Sequence, residues 1–226
     1  MNYLRLFLLI AATGTLLFIY YVSNHSGTNQ STDTTALAEF TKFETIRLSE
    51  PDLNNPATLM TALKNRRSER DFKSEKLTFQ QLSSLLWAAN GLNRDNDTVR
   101  TTAPSARALY PVEIYAVLPN GIYRYNKQGH TLEPIVEGNY MEQTGIQSFV
   151  KEAPLNILYI ADLSKNPNFT YAAIDAGHNS QNVYLYCAAT GLKSVTRGSA
   201  DGEVLLKTLQ LDPEQHKFIL AQTVGK

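Results

Sequence analysis

The sequence predicts an α+β domain behind an apolar N-terminal segment. Three observations carry that prediction. Helix-period and strand-period stretches interleave without the regular strand–helix–strand rhythm of a parallel sheet. Short strand-like runs separated by Pro119-Asn120-Gly121 and by a polar turn over 126–129 read as an antiparallel meander. A nearly continuous apolar run over 155–161 reads as a central strand buried on both sides.

Composition narrows the function classes. The chain has 226 residues, 43% of them hydrophobic, enough for one membrane segment and one well-filled domain. The formal net charge is zero, which argues against a nucleic-acid partner and makes any basic cluster a local feature. Cys187 is the only cysteine, so an intrachain disulfide is excluded. His25, His130, His178 and His216 stand apart, and none has metal-ligand spacing with another His or Cys; no metal site is expected.

Taken in order, residues 6–22 carry no charge and as a helix would span about 25 Å, near the short limit for crossing a bilayer. Arg5 precedes them and no Lys or Arg follows until Lys42. The positive-inside rule then puts the N-terminus in the cytoplasm and the body outside it. Residues 1–24 read as a signal anchor or a cleaved signal peptide, with the anchor favoured because no small-x-small cleavage site is clear. Residues 25–50 read as a flexible tether, and 51–226 as the domain, the fold starting between 40 and 51.

Asn55-Pro56 offers an N-cap and a first-turn proline, predicting a helix through Leu59, Met60 and Leu63. Thr78 and Gln81 form a capping box, and Leu77 with Leu82 a hydrophobic staple, for a second helix ending at Asn90-Gly91 with Trp87 in the core. Strands follow at Val112–Leu118, 122–125 and 130–135, then a helix over 140–150. A long helix over 171–190 is rich in small residues (Ala172, Ala173, Ala176, Gly177, Ser180), which suits close approach of another helix, in the core or across a dimer. Cys187 on it reads as a buried thiol, and His178 and Gln181 as hydrogen-bonded packing residues. A short strand or loop at 195–198, a helix at 202–209 and a strand at 218–224 complete the chain.

The chemistry-bearing stretch is Asn65-Arg66-Arg67-Ser68-Glu69-Arg70-Asp71-Phe72. Its guanidinium forks and hydroxyl suit phosphate oxygens, which predicts a phosphorylated cofactor. A basic, solvated helix end that complements the helix dipole is the plainer reading of the same residues.

Four stretches together resemble the nitroreductase family of flavin oxidoreductases. They are the Arg66–Phe72 motif, Pro104-Ser105-Ala106-Arg107-Ala108-Leu109-Tyr110-Pro111, Gly177-His178-Asn179-Ser180-Gln181-Asn182 with its helix, and the stretch from Gly198 to Leu211. The second is most similar to the branch that includes the SagB-type dehydrogenases of peptide-modifying systems. The resemblance covers roughly 56–225. It implies a nitroreductase-like fold, a mainly antiparallel sheet flanked by helices, in an intertwined homodimer with FMN at the interface. Arg66, Arg67, Ser68 and Arg70 would hold the FMN phosphate and ribityl chain. Pro104, Ser105 and Ala106 would line the flavin from the partner subunit, and the loop at Arg197 and Gly198 would bring backbone N–H groups to its reactive edge. The implied activity is ping-pong electron or hydride transfer between a donor, by family default NAD(P)H, and a small-molecule or peptide substrate. A non-catalytic flavin-binding or membrane-tethered interaction module is the alternative. Tyr110, Tyr123, Tyr171 and Arg107 are candidates to touch substrate. Arg107 stands where the branch usually has Gly, and Lys226 stands near where the better-known branch has a basic phosphate ligand.

Overall fold

The computed structural model describes residues 42–226. The anchor and signal-peptide readings over 1–24, and the tether up to residue 41, lie outside them. Among the described residues no helix is long and apolar enough to cross a membrane.

One seven-stranded sheet organises the domain. In chain order the strands are β1 (Ile46–Arg47), β2 (Val112–Leu118), β3 (Gly121–Asn126), β4 (Thr131–Glu137), β5 (Leu155–Asp162), β6 (Lys193–Arg197) and β7 (His216–Gly225). Their order across the sheet is β1-β4-β3-β2-β5-β7-β6, with every neighbouring pair antiparallel. β1 pairs with β4 through Ile46 and Leu132, so the sheet begins inside the stretch read as tether. The helices are α1 (Leu59–Asn65), α2 (Phe79–Asn90), α3 (Phe169–Thr190) and α4 (Gly202–Thr208).

Strand alternation sends Ile114, Ala116 and Leu118 of β2 to one face and Tyr115 and Val117 to the other. The first face meets Leu82, Leu85, Leu86 and Ala89 of α2 and Ala176, Val183 and Cys187 of α3. The second meets Leu205 and Leu206 of α4. Helices therefore cover both faces, and β5, in the middle, is buried along its whole length. That is why an antiparallel strand reads as an unbroken apolar run.

Helix α2 forms where its local signals place it. The Thr78 hydroxyl accepts from the Gln81 N–H, the Gln81 side chain accepts from the Thr78 N–H, and Leu77 and Leu82 are fully buried. Each such leucine contributes about 1.5–3 kcal/mol of burial. The thiol of Cys187 is buried, which pushes its pKa up and leaves it protonated.

Five expectations need correction. Helix α1 is capped by Thr58, whose hydroxyl accepts from Thr61 N–H; Asn55 instead accepts from Ala57 N–H in a separate turn. Residues 140–150 form two short 3₁₀ turns, Met141–Thr144 and Ser148–Val150, parted by extended Gly145. Trp87 is only half-buried, lying in a surface groove against Leu59, Ala62 and Tyr186, with its indole N–H on the Leu92 carbonyl. His178 and Gln181 are exposed on α3. Tyr123 is fully buried against Phe43 and cannot meet a substrate.

Candidate functional site

Helix α1 ends at Asn65, and the arginine motif leaves it in extended form along β6, where the Glu69 N–H donates to the Ser194 carbonyl at 3.0 Å. Helix α3 lies beneath. Its Tyr184 hydroxyl is 2.8 Å from Ser68 Oγ and accepts the Thr196 N–H at 2.8 Å, while the Arg66 guanidinium sits 5.4 Å from the centre of the Tyr184 ring. Arg67 is turned back, donating to the Asn65 carbonyl and lying 3.7 Å from Glu69. Among the described residues Arg66 and Arg70 have no carboxylate partner. The motif thus presents two uncompensated guanidinium groups and one hydroxyl.

Lys226 is anchored. Its carbonyl accepts from the Lys73 N–H and its ammonium pairs with Glu75, whose carboxyl the same lysine holds below its ordinary value. The lysine that stands near the place of the better-known branch's phosphate ligand is here paired with Glu75.

The second set lies farther along α3. Ser105 Oγ accepts the Tyr110 N–H at 2.9 Å, closing a loop in which Arg107 (φ 58°), Ala108 (φ 55°) and Tyr110 (φ 46°) all hold left-handed backbone. Each costs on the order of 1–2 kcal/mol relative to relaxed backbone. Behind the loop, Asp175 of α3 is 5% exposed, and its Oδ2 has no hydrogen-bond donor among the described residues. Burial pushes its carboxyl up; the Ser105 hydroxyl, His178 and the Ala106 N–H oppose that rise. One turn on, Asn179 Nδ2 donates to the Ala89 carbonyl and ties α3 to the end of α2.

On the loop's other side a cleft of about 390 Å³ is walled by Tyr110, Glu113, Arg124, Lys127, Glu133 and Lys165. Arg124 pairs with Glu133 at 2.7 Å, and Lys165 with Glu113 and Asp162 at 3.0 and 2.8 Å. Lys127 has no carboxylate among the described residues; its ammonium lies 4.3 Å from the Tyr110 ring centre. Burial and the nearby Lys165 lower its pKa to about 8.

Arg197 and Gly198 divide in role. The Arg197 side chain is 7% exposed and points inward, donating to Thr144 O (2.6 Å), Asn156 Oδ1 (2.9 Å) and Thr223 Oγ1 (2.7 Å). It is a structural cation, with burial lowering its pKa to about 10. Gly198 is exposed, and a Cβ built on it would meet nothing within 4 Å. The fold's own packing does not require a glycine there, whereas close approach of a flat ligand would use one.

Four of the predicted residues therefore gather at two places on one helix. Tyr184 supports Arg66 and Ser68; Asp175 supports Ser105 and Ala106; nine residues separate them, about 13 Å along the axis.

The model of the nitroreductase family matches residues 63–226. The chain belongs to the nitroreductase family. A nitroreductase-family protein of Methanocaldococcus jannaschii, MJ1384, is 30% identical over 172 residues, 69% of this chain and 85% of that protein. The crystal structure of a nitroreductase-family protein from Ralstonia eutropha superposes with a TM-score of 0.76 at 36% identity, covering 85% of this chain and 93% of that one. A further nitroreductase-family structure, from Desulfovibrio desulfuricans and in complex with FMN, shares the fold at 21% identity and a TM-score of 0.57, covering 75% of this chain and 86% of that one.

Sequence reading missed Asp175, Tyr184 and Lys127. The two helix residues carry no motif of their own, although Asp175 is the one acid in a stretch of small residues.

Proposed function

We propose that this nitroreductase is an FMN-dependent oxidoreductase working by ping-pong transfer. The observation that carries the reading is the pair of uncompensated guanidinium groups, Arg66 and Arg70, flanking the supported hydroxyl of Ser68. A phosphate monoester with about −1.5 to −2 charges is the ligand class such donors complement. FMN, when bound, supplies the two-electron chemistry. The chain's own residues orient it: Arg66, Ser68 and Arg70 at the phosphate, with Gly198 leaving room at the ring edge.

The separation of the two residue sets along α3 supports a shared site, in which Pro104, Ser105 and Ala106 would serve the flavin of a second copy. Leu59 and Met60 of α1 and Tyr171 and Ile174 of α3 are exposed apolar side chains available to that homodimer. The substrate, a small molecule or a peptide, would enter by the cleft of Tyr110 and Lys127. The donor is proposed to be NAD(P)H or a membrane partner, and residues 6–22 to anchor the chain with its domain outside the cytoplasm.

The deciding experiment purifies the full chain, records its flavin content, and repeats this for Arg66→Ala with Arg70→Ala. Bound flavin in the parent and its loss from a folded double variant are expected. Undiminished flavin in the variant refutes the assignment. Anaerobic NADPH that bleaches the parent's spectrum identifies the donor; a spectrum that stays oxidised points to a different donor or to a carrier.

A further inference from the structure

Tyr184 is at the junction of three elements. It belongs to α3, its hydroxyl meets Ser68 of the arginine motif, and the same oxygen receives the N–H of Thr196 on β6. Its ring lies under Arg66. Nothing in the sequence marks it, and the motif residues themselves are mostly exposed, with no other side chain bonded to Ser68 among the described residues.

The hydrogen-bond directions give this junction a chemical consequence. Thr196 can only donate through its N–H, so one lone-pair position of the Tyr184 oxygen is committed. The phenol proton can then pass toward Ser68 Oγ, and Ser68 in turn points its own proton outward. An anion outside Ser68 favours this arrangement over its reverse, because the chain then ends in a donor. The start of the chain is held firmly. Thr196 Oγ1 is 2.6 Å from Ser180 Oγ, Gln222 Nε2 donates to the Ser180 carbonyl and to Ser194 Oγ, and buried Tyr159 donates to Gln222 Oε1 at 2.7 Å.

We infer that Tyr184 is a positioning residue for the cofactor phosphate: it relays the Thr196 N–H through its hydroxyl to Ser68 and braces Arg66 with its ring. The inference rests on the phosphate reading given under Proposed function. It adds that affinity for the phosphate is set partly from β6, the strand that runs into Gly198, so the phosphate end and the ring end of the site share one support.

The test compares FMN with riboflavin, which lacks the phosphate, on full-length apoprotein. Affinities are measured by flavin fluorescence quenching for the parent, Tyr184→Phe, Ser68→Ala and the double variant. Tyr184→Phe keeps the ring under Arg66 and removes only the relay. It is expected to weaken FMN about tenfold, leave riboflavin unchanged, and have no further effect once Ser68→Ala is present. Tyr184→His, which keeps a ring and a polar atom, is expected to restore part of the FMN preference and stands in should Tyr184→Phe not fold. Equal weakening of FMN and riboflavin would show a merely structural tyrosine and overturn the inference, as would unchanged FMN affinity in a Tyr184→Phe protein whose Ser68→Ala counterpart binds FMN poorly. If Ser68→Ala and the Arg66→Ala, Arg70→Ala pair both leave FMN binding intact, the phosphate reading fails first and takes the relay with it.

Discussion

Replacing Arg197 separates a structural cation from a cofactor ligand. Its guanidinium makes three hydrogen bonds to neutral acceptors and, among the described residues, has no carboxylate beside it. In Arg197→Met two of those acceptors keep another partner, because Thr223 Oγ1 also donates to Asn156 Oδ1. The Thr144 carbonyl loses its charged donor, at a cost of about 1–3 kcal/mol, and the charge-assisted bonds to Asn156 and Thr223 take with them about 1.5–3 kcal/mol each. Apolar packing of the methionine in the same space offsets several kcal/mol of that loss. The net expectation is a loss of about 2–4 kcal/mol, which for a domain of this size lowers Tm by roughly 5–15 °C. Thermal unfolding followed by circular dichroism measures it, and flavin titration at a temperature where the variant is folded supplies the second readout. Flavin affinity is expected to stay within about twofold of the parent. A variant of unchanged Tm that cannot hold flavin would refute the argument and move Arg197 into the cofactor site.

Three further outcomes are expected. Arg107→Gly relieves left-handed backbone at φ 58° and raises stability by about 0.5–1 kcal/mol, a Tm gain of roughly 2 °C; a lower Tm would show that the arginine side chain contributes more than the strain costs. Asp175→Asn removes a carboxyl whose folded pKa is raised above the unfolded value of 3.8, so the parent loses stability as pH rises from that value through the folded one. The variant should show a flatter stability–pH profile above pH 4 and a higher Tm at pH 7, checked by scanning calorimetry; an identical profile would sink the burial argument. Lys127, with its pKa lowered to about 8, should acylate faster than the other lysines at neutral pH in a mass-spectrometric footprint, and uniform lysine labelling would contradict its half-buried placement beside Lys165.

Where signals were local, the sequence was legible. The capping box of α2, the turns that bound β2 and β3, and the apolar run of β5 each depend on residues within a few positions of one another. Misreadings arose where distant partners decide. The 140–150 stretch has helix-compatible composition, but Thr144 gives its carbonyl to Arg197, and Gly145, extended, sits so close to the same guanidinium that a side chain would not fit. Strand β1 is two residues long and exists only because β4 is there to pair with it. The arginine motif was legible as a composition, whereas which arginines remain free was not: Glu69, one short turn away, takes Arg67. Tyr184 and Asp175 act across 116 positions to Ser68 and about 70 to the Ser105 loop, distances at which a single sequence carries no spacing signal.

The sheet order also dictates how the chain must be finished during synthesis. β7 sits between β5 and β6, so β6 has no partner in the sheet until the last strand has left the ribosome. Nascent chains up to about residue 215 would carry an open β5 edge, a ready template for pairing with another chain. Long-range closure of this kind is slow, and it makes the C-terminal strand the timing element of the whole domain. Ribosome-stalled chains are expected to resist proteolysis only once β7 has cleared the exit tunnel.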